Sequence, residues 1–406
     1  MNKFRKAVSV LICISMILSL CGCGSDNTKK DKLTIAVRSG IYAEVIRKCI
    51  PGFENKTGIT CEIVEFSEEE LRENLLNDSV NKNGIYDLCM IDGSWVAQFL
   101  ADGILTDLSD KGYYFDEDII PATTSICISG DDIYLVPYYG NVTVLMYNKN
   151  TVTELGYTEN DLDSLDDIVK FSLLAQENGF GGFACRKDSA NNIVVDFLPI
   201  LRAYGGWVVD KDNNPTVNTE EFRKALELYI FLIDNGKTAS KEEIIEGIED
   251  GNISVAIGWP GWCNPEVNLS TEYISIPGRV SDDSLNHNSN IYGIWNLGIP
   301  DNCTDKDSAM LLLEYLMDPD VQRQTVEYGG IPCRYSILND PDMLSLNPHL
   351  EEICEALDHG IYRPVIKEWP VFYAILGDKM EKIIDGELSV DDGLLLAQTE
   401  LEVLMK

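Results

Sequence analysis

Ile133-Tyr134-Leu135-Val136-Pro137-Tyr138-Tyr139-Gly140-Asn141-Val142-Thr143-Val144-Leu145-Met146-Tyr147 is two extended runs with Gly140-Asn141 between them. The runs are rich in β-branched and aromatic residues, which suit a pleated strand surface. Before this stretch, strand and helix signals alternate. Leu33-Thr34-Ile35-Ala36-Val37 reads as a buried strand. Tyr42 to Thr57 reads as a helix with Ala43, Ile46, Ile50 and Phe53 on one face, stopped by Gly58 unless Pro51 ends it sooner. Thr60 to Phe66 is a second strand. Ser67 and Glu70 form a capping box ahead of Leu71, Leu75 and Leu76. Asp87 to Ile91 is a third strand, followed by a short helix after Ser94 that ends near Asp102-Gly103. That order predicts an α/β fold with a parallel sheet and covering helices.

After the stretch, helices are expected over Leu162–Asn178, Phe197–Ala203 and Thr219–Asn235. Ile253 to Ile257 is a strand, and it runs into the loop Gly258-Trp259-Pro260-Gly261-Trp262. Two long helices follow near the C-terminus, Asp307–Leu316 and Val371–Ile384. No tandem repeat is visible.

The N-terminus sets the compartment. Lys3, Arg5 and Lys6 precede an apolar run from Ala7 to Leu20, which is short for a membrane span and right for a signal peptide. The run ends in Leu20-Cys21-Gly22-Cys23, which resembles a bacterial lipobox. That resemblance implies cleavage after Gly22, lipid on Cys23, and a polar tether to Asp31. The reading is therefore a signal peptide over 1–22 and a lipidated tether over 23–31.

The chain of 406 residues is 45% hydrophobic, enough for two domains with large cores. Its net charge is −35, so nucleic acid and anionic lipid are poor partners. Acidity suits solubility on an exposed face, and a cationic ligand is the sharper alternative. Of twelve cysteines, nine follow Cys23, and no two have CxxC spacing. Most sit among apolar neighbours, as small buried hydrophobes do.

Catalytic motifs are missing. The three histidines form no metal pair, and there is no phosphate loop and no nucleophile elbow. Asp210, Asp212, Asn214 and Glu221 fall at calcium-loop spacing, but Pro215 stands where that loop needs glycine. No cofactor or metal is expected, and the chain is read as a binding protein, not an enzyme.

Several segments together resemble the family 1 extracellular solute-binding proteins, the maltose-binding-protein group. They are Ile133–Tyr139 closing in Leu145–Lys149, then Gly247–Trp259, then Leu297–Pro300 through Pro319–Gln322 to Gly329–Arg334, and last Tyr362-Arg363-Pro364 with Trp369-Pro370. The resemblance implies a two-lobed, periplasmic-binding-protein-like (type II) fold, with two α/β lobes joined by hinge crossovers. It implies one lobe over 32–141 plus 292–338 and the other over 142–291 plus 339–406. The expected function is capture of a small solute, foremost a carbohydrate, in the cleft between lobes, for delivery to an ABC permease in the membrane by a lipid-anchored monomer. The alternatives are a cationic ligand such as a polyamine, a membrane sensor as recipient, and a surface lipoprotein hydrolase.

Ligands of open α/β sheets bind beyond the carboxyl ends of strands. That rule selects Tyr42 after the first strand, Asp92 and Trp95 after the third, and Tyr138, Tyr139 and Asn141 at the crossover. It also selects Trp259 and Trp262 after the strand ending at Ile257. Arg334 and Trp369 are added from the family pattern. Flat aromatic rings suit the C–H face of a sugar, and Asp, Asn and Arg suit its hydroxyl rim. Each choice has a plain counter-reading: Asp92 as a helix cap, Trp95 in a helix core, Arg334 in a structural ion pair.

Overall fold

The computed structural model describes residues 30–264, 267–279 and 289–406. The signal segment and Cys23 lie outside the described residues. Strand β1 (Lys32–Arg38) enters α1 (Ile41–Thr57), then β2 (Thr60–Phe66), α2 (Glu68–Asn81) and β3 (Leu88–Asp92). Pro51 is accommodated inside α1, and the helix stops at Gly58, whose φ of 75° is left-handed. Ser67 and Glu70 make both hydrogen bonds of the capping box at α2. These βαβ units pair β2-β1-β3 in parallel.

The fully parallel sheet does not occur. Trp295–Gly298 inserts antiparallel beside β3, and Val136–Tyr139 (β4) pairs antiparallel on its far side. A second five-stranded sheet is built from Val144–Asn148 (β5), Phe183–Cys185 (β6), Lys237–Thr238 (β7), Val255–Gly258 (β8) and Thr271–Ile274 (β9), in the order β9-β5-β8-β6-β7. It too is mixed, with β8 parallel to β6 and antiparallel to β5. The stretch 133–147 therefore leaves one sheet at Tyr139 and enters the other at Val144. Numbering Trp295–Gly298 as β10, the chain re-enters the first sheet there. The result is a two-lobed α/β fold in which each lobe has its own sheet.

The second lobe is packed by long helices. Ala190–Ala203 (α3) is longer than the expected Phe197–Ala203, because the Ser189 hydroxyl caps it and Pro199 is tolerated inside it. Glu220–Asp234 (α4) is capped by Thr219 and buries Phe222, Leu226 and Tyr229. Trp369–Ile384 (α5) and Val390–Leu404 (α6) pack together, and α5 also packs on α3. Helix α6 was not expected. Its apolar residues run consecutively at Leu394-Leu395-Leu396, which blurs the helical stripe. Leu350–His359 sits across the seam: its apolar face joins the core beneath the first sheet, while His349, just before it, lies 4.4 Å from the Tyr273 ring on β9.

All nine described cysteines are free thiols, and only Cys61 and Cys263 are more than marginally exposed. Burial pushes the Cys49 thiol up to about 11 and the Cys61 thiol up to about 12, so neither is an activated nucleophile. No described helix is long and apolar enough to cross a membrane.

Candidate functional site

The carboxyl ends of β1 and β3, the crossover after β4 and the turn after β8 meet between the two sheets. Asp92, the last residue of β3, caps the turn over 93–95 by accepting the Ser94 N–H at 2.8 Å. It also accepts from Arg363 Nη2 at 2.6 Å. The cap reading of Asp92 holds, and the same oxygen carries the ion pair. Arg363 belongs to the return segment ahead of α5, so this buried ion pair ties β3 of the first lobe to a segment of the last hundred residues. Sequence reasoning missed Arg363 as a site residue.

The first lobe supplies a stack of rings. Tyr42 lies 4.8 Å edge-on to Tyr139 and 5.5 Å from Trp295. Trp95 meets Trp295 edge-to-face at 5.5 Å and leans on Phe99, so it backs the site from within the core. Tyr139 donates its hydroxyl to the Gly329 carbonyl at 2.8 Å. Burial, with Glu68 and Asp92 nearby, raises the Tyr42 phenol well above the ordinary range, against the opposing pull of Arg38, so it is a neutral hydroxyl at any physiological pH.

Asn141 marks the crossover. Its Nδ2 donates to the Tyr42 hydroxyl at 3.3 Å, but its Oδ1 is buried with no donor, in a residue only 5% exposed. An unpaired buried carbonyl costs about 1–3 kcal/mol. Gly261 of the opposing turn comes close here: a Cβ on it would lie 3.1 Å from the Tyr139 hydroxyl and 3.5 Å from Asn141 Oδ1. The turn is therefore seated against the crossover and uses glycine to get there.

The second lobe answers with Trp259 and Trp262 on that turn. Trp259 is buried against Gly293, where a Cβ would sit 2.4 Å from the indole. Trp262 is half-buried and stacks on the Arg186 guanidinium, 4.9 Å from ring centroid to Cζ. Arg186 is fixed by Asp196, with Nε at 3.1 Å and Nη2 at 2.5 Å, and by Asn192. One indole packs and the other presents a face.

Glu68 lies close by and is not among the residues the sequence singles out. As the first residue of α2, directly after β2, it falls under the same strand-end rule that selected Tyr42 and Asp92. Its carboxylate lies in the field of Asp92, Arg363, Arg38 and Arg186, residues of both lobes. Burial raises its pKa, Asp92 adds to the rise, and the three arginines oppose it. It makes no ion pair with any described residue. Tyr373 of α5 borders it, its phenol raised by burial and by Glu68.

Three expected residues lie elsewhere. Tyr138 alternates with Tyr139 along β4 and turns its ring into the first lobe's core, beside Cys49 and Tyr315. Arg334 is 3% exposed: Nε donates to Gln322 at 2.6 Å, Nη1 to Asp116 at 2.7 Å, and Nη2 to the Met317 carbonyl at 2.9 Å. That is the structural ion pair, with all three guanidinium nitrogens engaged within the first lobe. Trp369 is fully buried in the second lobe, stacked on Phe372 at 5.4 Å. An apolar cavity of about 500 Å³ is lined by Tyr362, the neighbour of Arg363 in the chain, with Leu100, Ile126, Ile128, Tyr292 and Val365 around it. Asp210, Asp212 and Asn214 form a turn in which Asp210 accepts the N–H groups of the other two. No described group of His, Cys, Asp or Glu is placed to hold a metal.

Residues 49–352 match the family of bacterial extracellular solute-binding proteins, and the chain belongs to that family. A probable amino-acid ABC transporter periplasmic-binding protein, y4oP of Sinorhizobium fredii, is 21% identical over 87% of this chain and 84% of its own length. The putrescine-binding periplasmic protein PotF of Escherichia coli is 23% identical over 67% of this chain and 70% of its own. Among solved structures, maltose-bound MalE3 of T. maritima has a TM-score of 0.81 at 21% identity, covering 92% of this chain and 99% of that one. A solute-binding protein from Thermotoga lettingae with bound α-D-tagatose has a TM-score of 0.80 at 22% identity, over 93% and 100%. The likeness in fold thus extends over nearly the whole chain.

Proposed function

We propose that this protein is the ligand-capturing subunit of an ABC importer, that it takes up a carbohydrate between its lobes, and that lipid on Cys23 holds it to the outer face of the membrane. The observation that carries the reading is the meeting of Tyr42, Asp92 and Asn141 from one lobe with Arg363 and Trp262 from the other. A flat ring beside directional polar groups is what a pyranose requires. Maltose and tagatose in two neighbours of the same fold support the sugar. The name of y4oP supports the ABC context. The membrane permease is the partner, and ATP hydrolysis belongs to partner subunits of the transporter.

A second reading keeps the fold and gives the cleft a cationic solute. The unpaired carboxylate of Glu68 and the relative named for putrescine favour it.

The test is a thermal-shift screen of the purified protein against mono- and oligosaccharides, polyamines and amino acids. A ligand specific for the folded state raises the melting temperature by mass action. A shift with one sugar class and no product released on prolonged incubation is the expected result. Shifts with polyamines alone would replace the carbohydrate, and turnover of any sugar would replace the transport reading. Separately, Cys23→Ala should move the protein from the membrane fraction to the soluble one.

A further inference from the structure

His349 is the N-cap of the helix Leu350–His359, and its side chain is 11% exposed. It lies where the two lobes touch. The helix it opens buries Leu350, Ile353 and Leu357 in the core beneath the first sheet. Leu357 closes over Gly140, just past β4, where a Cβ would meet it at 2.8 Å. The imidazole itself rests on β9 of the second lobe. Its ring centre is 4.4 Å from that of Tyr273, and Nδ1 is 3.4 Å from Glu272 Oε2. Strand β9 pairs with β5, and β5 with β8, which leads into the turn of Trp259 and Trp262. Whatever parts this contact shifts the second lobe's half of the cleft against the first.

We infer that the contact is acid-sensitive: protonation of His349 parts the helix from β9 and lets the lobes separate. An imidazole changes charge within the physiological range. Three features of its surroundings favour the neutral form. The ring is largely out of water and packed on an aromatic face. The carboxylate that would match an imidazolium is shared with Lys149, whose Nζ is 3.1 Å from Glu272 Oε1. One negative charge would then face two positive ones. Last, the ring stands at a helix N-terminus, where the unpaired N–H groups and the positive end of the dipole repel a cation. Glu272 alone opposes these three.

No other described charge restores the balance. On its own helix, Glu351 is exposed and Glu352 accepts the Ser275 N–H. Tyr273 and Tyr147 of the second sheet have phenols pushed up by burial, so both stay neutral. On the first-lobe side, Tyr335 bonds Asp358 at the far end of the helix, and Asp342 faces Arg323. Burial, with Lys149 adding and Glu272 opposing, holds the His349 pKa below its ordinary value. Once parted, the ring regains water and its ordinary hold on protons. Protons therefore bind the separated form more tightly. The contact is complete above the ordinary histidine range and is lost as pH falls through the lowered one. For a protein that grips a solute between its lobes, the function proposed above, acid outside the cell would loosen the grip.

The experiment is small-angle scattering of the purified, ligand-free protein from about pH 8 to about pH 5, with a melting curve at each pH. The expected result is a radius of gyration that rises as pH falls while the protein stays folded. His349→Gln should remove the rise. Lys149→Gln should shrink it, because Glu272 is then left to His349 alone, and Glu272→Gln should enlarge it. Opposite shifts of that kind do not follow from a merely structural loss, and they decide the matter should His349→Gln fail to fold. A radius that does not change with pH, a rise that survives His349→Gln, or the same shift in both partner variants would overturn the assignment. None of these measurements uses a ligand, so the acid response and the capture function can each fail without the other.

Discussion

Arg334 and Arg363 are 3% and 7% exposed, and both carry a charge far from bulk water. Arg334 distributes its donors over Gln322, Asp116 and a backbone carbonyl, all in one lobe. Arg363 has one described bond, to Asp92 across the seam. The difference teaches how to separate a strut from a recognition group. A guanidinium with all three nitrogens engaged is finished chemistry, because its bonds are made within one lobe. A guanidinium with spare N–H groups at an inter-lobe surface is chemistry held for something else. Burial and charge alone would have ranked the two together.

Breaking the comparison at its stronger end should give the largest effect. Arg334→Ala strands Gln322 and the Met317 carbonyl, and should cost about 3–5 kcal/mol of stability in urea denaturation. The fraction that remains folded should bind ligand as before. Arg363→Ala leaves the buried Asp92 carboxylate unpaired and should cost a similar amount, about 3–5 kcal/mol, but should also lower ligand affinity sharply. Asp92→Asn on that background should recover part of the stability and none of the affinity. If Arg363→Ala altered stability alone, the two arginines would be the same kind of group.

The two indoles sharpen the contrast. Trp259→Ala opens a void against Gly293 and should cost about 3–5 kcal/mol. Trp262→Ala should change stability by less than about 1 kcal/mol and weaken ligand binding by about 1–3 kcal/mol, measured by calorimetry. The smallest effect is on Glu68. Its pKa is raised in the folded state, so its contribution to stability is complete below the unfolded value and is lost as pH rises through the folded one. Glu68→Gln should thus raise the melting temperature at neutral pH, and the gain should vanish in acid.

These residues also show what a sequence can and cannot reveal. Local rules were enough for β1 through β3, since periodicity, the Ser67–Glu70 box and Gly58 each act within a few residues. They also pointed to Tyr42, Asn141 and the Trp259–Trp262 turn, which the fold brings together, because strand ends and ring chemistry are readable in place. The antiparallel entry of β10 was invisible, as strand direction in a sheet depends on where a distant segment returns. Arg363 failed for the same reason, standing 271 residues from Asp92. Glu68 failed differently. It stands directly after β2, but no ring or motif drew attention to it. Tyr138 and Tyr139 were taken together, although strand alternation sends neighbours to opposite faces.

The helix Leu350–His359 bears on motion. It is a stiff rod with its apolar face on the first lobe and its N-terminal end on Tyr273 of the second. A rod seated on two bodies removes most of their relative freedoms. The sheets cannot slide apart without tearing one seat, so the gentlest displacement is a swing about an axis near the rod. If the lobes swing, this seat is the stop: His349→Ala should let them open wider, read as a larger radius of gyration of the ligand-free protein in solution scattering.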